Sequence, residues 1–113
     1  MSMLPEVAFS TQNHKVTRVG LGGEGVLRTF GREAEAREVI FCALNQGITY
    51  FDTAPAYSGS QHYLGSVWKE NPEAKARIFQ TSKSAERSYD RAMLDLEQSL
   101  QILGSESLDL WQI

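Results

Sequence analysis

GITYFDTAPAYSGSQHYLG, residues 47–65, is the stretch on which the interpretation of this chain depends. It begins with an apolar, strand-forming segment, reaches an acid at Asp52, and continues through a proline-containing turn to a phenol at Tyr57. In a parallel α/β barrel, the chemistry is carried at the C-terminal ends of the strands and in the loops that follow them. An ordinary loop could also use Asp52 to cap a turn and Tyr57 to pack. The stretch therefore indicates a functional site, and residues elsewhere in the chain must decide between the two interpretations.

Composition and charge exclude several classes of protein. The chain has 113 residues, of which 42% are hydrophobic and 22% charged, as in ordinary globular domains. A net charge of -3 gives no electrostatic reason to expect nucleic acid or an anionic membrane surface as a partner. No signal peptide and no long apolar run are recognised, so we expect a cytoplasmic protein without a membrane span. The single cysteine, Cys42, excludes an internal disulfide, and we expect it to be buried in a helix. No metal site is expected.

The order of predicted elements sets the fold class. Residues 6–17 predict a β-hairpin with a polar turn at 11–13, which would cover one end of the domain. Three strand–helix units and a fourth strand follow. The predicted strands are 16–22, 48–51, 78–81 and 108–113, and the predicted helices are 32–46, the segment from Ser58 or Ser60 to Pro72, and 88–103, with a polar turn at 71–75.

Strands that alternate with helices predict a parallel sheet, because parallel neighbours need a crossover connection. Four such strands with helices on one side form half of a (β/α)8 TIM barrel, which typically needs about 250 residues. Half of a doubly wound sheet is the alternative, but GLGGEG at 20–25 lacks the dinucleotide-binding glycine pattern. We therefore expect residues 1–113 to be the N-terminal half of a barrel, with a hairpin at 6–17 and β/α repeats at 18–113.

Three side chains are expected to meet at the mouth of this barrel. Asp52, Tyr57 and Lys83 lie at or just beyond the C-terminal ends of the second and third strands. An ammonium beside a phenol stabilises the phenolate and makes the phenol a better proton donor. A neighbouring carboxylate holds the ammonium in place and keeps it charged. Tyr57 would then be a general acid, Lys83 its electrostatic partner and Asp52 the anchor of Lys83, a combination suited to reduction of a carbonyl group.

Five segments resemble the N-terminal part of aldo-keto reductases, including the group similar to potassium-channel β subunits. They are VGLGG at 19–23, GITYFDTAPAYSGS at 47–60, YLG at 63–65, TSK at 81–83 and LDLWQI at 108–113. The resemblance implies a TIM barrel, NADPH as the hydride donor and a catalytic Asp-Tyr-Lys-His tetrad, in which Asp52, Tyr57 and Lys83 take the first three roles. It also implies that Gly22, Gly23 and Asp52 contact the cofactor.

Two departures from the family pattern affect this expectation. The fourth member of the tetrad is expected immediately after a DLWQI-type strand, and this sequence ends at Ile113. Gly23 stands where the family usually has threonine, so one cofactor contact would be lost or made by the backbone alone. His14, in the hairpin, and His62, in the second helix, are not expected to replace the missing histidine. We therefore expect the chain as given to be an incomplete enzyme.

Three functions remain open at this point. The first is NADPH-dependent reduction of a small aldehyde or ketone. The second is a non-catalytic half-barrel that binds or regulates a partner. The third, weaker because Tyr57 would have no purpose in it, is an isomerase that uses Asp52 and Lys83. Open strand edges lead us to expect self-association or binding of the missing C-terminal half.

Overall fold

The computed structural model describes residues 4–10 and 14–113, which form one two-stranded and one four-stranded sheet with helices. The strands of this part of the chain are β1 (Glu6–Phe9), β2 (His14–Thr17), β3 (Gly20–Leu21), β4 (Tyr50–Phe51), β5 (Phe79–Lys83) and β6 (Leu110–Gln112). The helices are α1 (Glu33–Asn45), α2 (Ser60–Glu70), α3 (Pro72–Arg77) and α4 (Tyr89–Leu103), with a short 3-10 helix at Gly25–Leu27.

The larger sheet is parallel throughout, with the strand order β3-β4-β5-β6. Each strand therefore pairs with the next one along the chain, and every connection between them contains a helix. A sequential parallel sheet with helical crossovers is the arrangement of a (β/α)8 barrel, whereas a doubly wound sheet reverses its strand order. The predicted α/β half-barrel is confirmed.

Alternate residues of the strands face opposite sides of the sheet. Phe51 faces the helices and meets Trp68 of α2 edge-on, with ring centroids 5.3 Å apart. The helix-facing core is apolar and buried because each helix presents one apolar stripe to the sheet. Its fully buried members include Leu27, Ile40, Phe51, Leu64, Val67, Trp68 and Leu103.

The hairpin covers the end of the sheet where the strands begin, as expected. β1 and β2 pair antiparallel from Glu6 opposite Thr17 to Phe9 opposite His14, and the predicted turn at 11–13 lies outside the described residues. The Phe9 ring lies 5.0 Å from that of Phe79, at the start of β5. Phe79 in turn stacks on Tyr50 of β4 at 5.4 Å. These rings occupy the inner face of the sheet, at the opposite end from Lys83.

The connection after α2 differs from the prediction. Residues 71–75 were expected to be a polar turn, but Pro72–Arg77 forms α3. Pro72 ends α2 because it cannot continue that helix, yet it opens α3 at a first-turn position where its missing N–H is not needed. The half-barrel therefore contains four helices, where three were predicted.

Two local predictions about helix residues are wrong. Neither Ser58 nor Ser60 caps α2, since Gly59 holds the cap position without a side-chain bond. The Ser60 hydroxyl is instead turned inward, 2.7 Å from the hydroxyl of Thr53. Cys42 is exposed. It lies two residues beyond the fully buried Ile40, and two residues turn a helix by about 200°, so it faces away from the core.

Other helix ends agree with the sequence. Ser88 caps α4 and accepts a hydrogen bond from the backbone N–H of Arg91 at 3.3 Å. Gly47, after α1, and Gly104, after α4, both have positive φ, which glycine adopts at little cost. Among residues 4–10 and 14–113, no helix combines the length and hydropathy needed to span a bilayer.

Candidate active site

Asp52 is placed by the sheet at the C-terminal end of β4. Its backbone N–H donates to the carbonyl of Leu21 at 3.0 Å, which extends the pairing of β4 with β3 by one residue. Its carboxylate accepts a 2.5 Å hydrogen bond from Thr81 Oγ1 and two from Lys83, with Nζ 2.9 Å from Oδ1 and 2.8 Å from Oδ2. One carboxylate therefore receives three hydrogen bonds from one neighbouring strand.

Lys83 is the last residue of β5, and its ammonium connects the other two predicted residues. Besides the Asp52 carboxylate, Nζ donates to the Thr53 carbonyl at 3.0 Å and to the Tyr57 hydroxyl at 3.4 Å. The side chains of Lys83 and Asp52 are 28% and 26% exposed. Because about three quarters of each side chain is out of water, their attraction is screened less than that of a surface ion pair.

Tyr57 is held in the turn between β4 and α2. Its backbone N–H donates to the Ala54 carbonyl at 3.1 Å, and its own carbonyl accepts from Ser60 N–H at 2.9 Å. Ser58, between them, has φ of 51°, in the left-handed region. This tight turn returns the chain toward β5 and leaves the half-buried phenol over Lys83, whose Nζ lies 4.8 Å from the ring centroid.

The two glycines predicted to contact a cofactor have different surroundings. A Cβ atom at Gly23 would lie 2.5 Å from Ser60 Oγ and 2.8 Å from the carbonyl oxygen of Asp52, so a side chain has no room there. A Cβ atom at Gly22 would have nothing within 4 Å. The start of α2 and the end of β4 therefore leave room only for glycine at position 23. At Gly22 the backbone is not covered by other atoms.

Two cavities border the site. The first, of about 630 Å³, lies on the inner side of the sheet and is lined by Gly22, Asp52, Leu21, Tyr50 and residues of the hairpin. The second, of about 440 Å³, is lined by Ala54, Tyr57, Lys83, Glu86 and Asp95, among others. Gly22 and Asp52 thus face one open space, and Tyr57 and Lys83 face the other.

The structure brings together the three residues predicted to be catalytic, and it adds two that the sequence analysis did not assign. Thr81 donates to Asp52, and its position two residues before Lys83 on a strand could have indicated that both face the same side. Arg28 lies beside Tyr57, with Cζ 5.5 Å from the ring centroid, and no sequence signal pointed to it.

Neither histidine joins the trio, as expected. His14 is at the other end of the sheet, 5.5 Å from the Phe79 ring, and His62 is exposed on α2. In the described ranges, 4–10 and 14–113, no group of three His, Cys, Asp or Glu side chains is arranged to hold a metal ion. The chemistry that Tyr57 and Lys83 suit is proton donation from a phenol beside a cation.

The parallel sheet and its helical crossovers place the chain in the class of (β/α)8 barrel proteins. Residues 18–113 match the Aldo/keto reductase family, and the chain belongs to that family.

Two curated relatives are similar to it in sequence. The aldo-keto reductase YhdN of Bacillus subtilis (strain 168) is 31% identical over an alignment that covers 88% of this chain and 34% of that protein. The NAD(P)H-dependent 6'-deoxychalcone synthase of Glycine max is 32% identical over an alignment that covers 97% of this chain and 36% of that protein. The chain thus spans about a third of the length of these relatives.

Solved structures share the fold. A putative aldo-keto reductase from Pseudomonas aeruginosa matches with a TM-score of 0.77 at 25% identity, over 94% of this chain and 44% of that one. An aldo/keto reductase from Klebsiella pneumoniae, solved in complex with NADP and acetate, matches with a TM-score of 0.76 at 23% identity. That match covers 94% of this chain and 38% of the Klebsiella chain.

Proposed function

We propose that the protein carrying this sequence is an NADPH-dependent reductase of small aldehydes or ketones, with Tyr57 as the proton donor. The observation that carries the proposal is the position of the Lys83 ammonium, which is hydrogen-bonded to both the Asp52 carboxylate and the Tyr57 hydroxyl. Membership of the aldo/keto reductase family and the NADP found in the Klebsiella relative support the choice of chemistry and cofactor.

The three side chains divide the work of proton transfer. Asp52 accepts from Lys83 at two oxygens, which orients the ammonium in a partly buried site. Lys83 donates to the Tyr57 oxygen, where negative charge develops as the proton leaves. The proton passes from Tyr57 to the carbonyl oxygen of the substrate, and the product is an alcohol.

The residues at the sheet edge fit a nicotinamide cofactor. Gly22 and Asp52 border the cavity on the inner side of the sheet, and the open strip of backbone at Gly22 would admit a flat ring. NADPH would supply the hydride that the carbonyl carbon receives. The space beside Gly23 is filled by Ser60 and by Asp52 backbone, so any contact from Gly23 would come from its own backbone.

The remaining predictions extend this proposal. A histidine after a DLWQI-type strand would complete the tetrad, and without it we expect no turnover from residues 1–113 alone. Assignment to the group similar to potassium-channel β subunits, a cytoplasmic location, and self-association or pairing with a C-terminal half all stay predictions. A non-catalytic half-barrel that binds or regulates a partner is the alternative.

NADPH oxidation followed by absorbance, with a panel of aldehydes and ketones, tests the proposal. We expect turnover when this sequence is joined to the remaining strands of a family barrel, and a loss of at least about 100-fold in kcat for Tyr57→Phe. NADPH binding, measured by fluorescence, should be unchanged in that variant because only the hydroxyl is removed. Undiminished turnover in Tyr57→Phe would contradict the role of Tyr57, and turnover by residues 1–113 alone would contradict the prediction that these residues are inactive by themselves.

A further inference from the structure

A guanidinium group lies against the proposed proton donor. Cζ of Arg28 is 5.5 Å from the centroid of the Tyr57 ring, within the range of about 6 Å over which a cation is attracted to an aromatic face. Nζ of Lys83 is 4.8 Å from the same centroid. Tyr57 therefore contacts two cations, one from the loop after β3 and one from the end of β5.

The loop that carries Arg28 is fixed to the start of α2. The Thr29 carbonyl accepts from the backbone N–H of Gly59 at 2.9 Å. The Tyr63 hydroxyl lies 3.2 Å from the Thr29 hydroxyl and accepts from the backbone N–H of Arg32 at 3.0 Å. Thr29 directly follows Arg28 in the chain, and the residues that it contacts, Gly59 and Tyr63, follow Tyr57 by two and six positions. The backbone that follows Arg28 is thus tied to the segment that follows Tyr57.

Glu24 orients the guanidinium. Arg28 Nη1 donates to Glu24 Oε1 at 3.0 Å, across four residues of the same loop. The two side chains are 47% and 59% exposed, so this ion pair contributes little to stability. The hydrogen bond to Glu24 orients the Arg28 side chain so that its guanidinium lies beside the Tyr57 ring.

We propose that Arg28 is a positioning residue for Tyr57, which holds the phenol ring over Lys83 and favours the negative oxygen that remains after proton transfer. This inference rests on the proposed reductase function. The Arg28 charge, partly offset by Glu24, lies 5.5 Å from the centroid of the Tyr57 ring, and we expect its removal to slow the reaction by about three- to ten-fold.

Three variants separate this role from a structural one. Arg28→Gln removes the charge and keeps a planar polar group; Arg28→Lys keeps the charge. Arg32→Gln is the matched control, because Arg32 lies on the same loop but pairs with Glu35 at 2.6 Å. We expect Arg28→Gln to lower kcat by three- to ten-fold with the carbonyl KM changed less than two-fold. Arg28→Lys should recover at least half of that loss, and Arg32→Gln should match the wild type.

Two further measurements do not depend on the first variant. Glu24→Gln removes the negative charge beside Arg28 but leaves an amide oxygen that can accept its hydrogen bond, so kcat should stay within about two-fold of the wild type. Proton NMR of the cofactor-free protein should show a nuclear Overhauser contact between the Arg28 side chain and the Tyr57 ring.

The outcomes distinguish this inference from the function on which it rests. A wild type that turns over, with Arg28→Gln equal to Arg32→Gln, overturns the role of Arg28 alone, as does the absence of the NMR contact. These kcat measurements use this sequence joined to the remaining strands of a family barrel, and if that protein fails to oxidise NADPH, the proposed function and the role of Arg28 are overturned together.

Discussion

The ammonium nitrogen of Lys83 lies 3.4 Å from the hydroxyl oxygen of Tyr57, although 26 residues separate the two in the chain. Lys83 reaches this position from the end of β5, and Tyr57 reaches it from the turn after β4. Because β4 and β5 are parallel neighbours, their C-terminal ends lie at the same edge of the sheet. The chemistry proposed for the chain depends on the side chains at this edge. The first two predictions test the ion pair and the hydrogen bond that hold those side chains in place.

Asp52→Asn removes the negative partner of Lys83 and leaves a partly buried ammonium without a counter-charge. We expect a loss of about 2 kcal/mol in the free energy of unfolding, measured by urea denaturation. In the double variant Asp52→Asn with Lys83→Met no charge is left unpaired, so part of the loss should be recovered. A double variant whose loss equals the sum of the losses of Asp52→Asn and Lys83→Met alone would show that the two side chains are not coupled.

Thr81→Val tests the hydrogen bond that orients the carboxylate. Thr81 is fully buried, and its hydroxyl donates to Asp52 Oδ1 at 2.5 Å. Valine has nearly the same shape but no hydroxyl, so we expect a loss of about 1–2 kcal/mol. Thr81→Ser keeps the donor and should lose less than Thr81→Val. The reverse order in thermal unfolding would mean that the methyl group, and not the hydroxyl, is the important part.

Gly65→Ala tests the contact between α2 and α4. A Cβ atom at Gly65 would collide with the backbone carbonyl oxygen of Ile102, which cannot move without displacing α4. We expect a loss of about 2–3 kcal/mol in the free energy of unfolding. Gly22→Ala is the matched control, since a Cβ there meets nothing within 4 Å, and its stability should stay close to that of the wild type. Equal stability of the two variants would contradict the close approach of the helices.

Glu35 gives a pH-dependent prediction. The pKa of its carboxyl is lowered, mainly because the side chain of Arg32 donates a hydrogen bond to it, with its own backbone N–H adding to the effect. A carboxyl whose pKa is lower in the folded state adds stability that is present above its unfolded pKa and is lost as the pH falls through the folded pKa. Glu35→Gln should therefore melt slightly below the wild type at pH 7, and the difference should be smaller at pH 3. Because Glu35 is exposed, we expect a small effect, and an equal difference at both pH values would exclude the ion pair as its source.

Much of the fold followed from local pattern. The apolar spacing of α1 and α4, the Ser88 cap and the glycines after these helices predicted elements that the structure contains. Two predictions from local sequence pattern were wrong. Ser60 was expected to cap α2, but its hydroxyl contacts Thr53 inside the site. Cys42 was expected to be buried in α1, but it lies on the face of that helix that points away from the core and is exposed.

The sequence by itself determined the order of strands and helices, the residue types at each strand end, and the grouping of Asp52, Tyr57 and Lys83 at one edge of the sheet. These follow from periodicity and from the rule that parallel strands end at one edge. Only the tertiary structure decided that Thr81 supports Asp52, that Gly23 is needed to make room for Ser60, and that Arg28 lies against Tyr57. Those contacts join segments that no local pattern relates, because they depend on where the loops after separate strands meet in space.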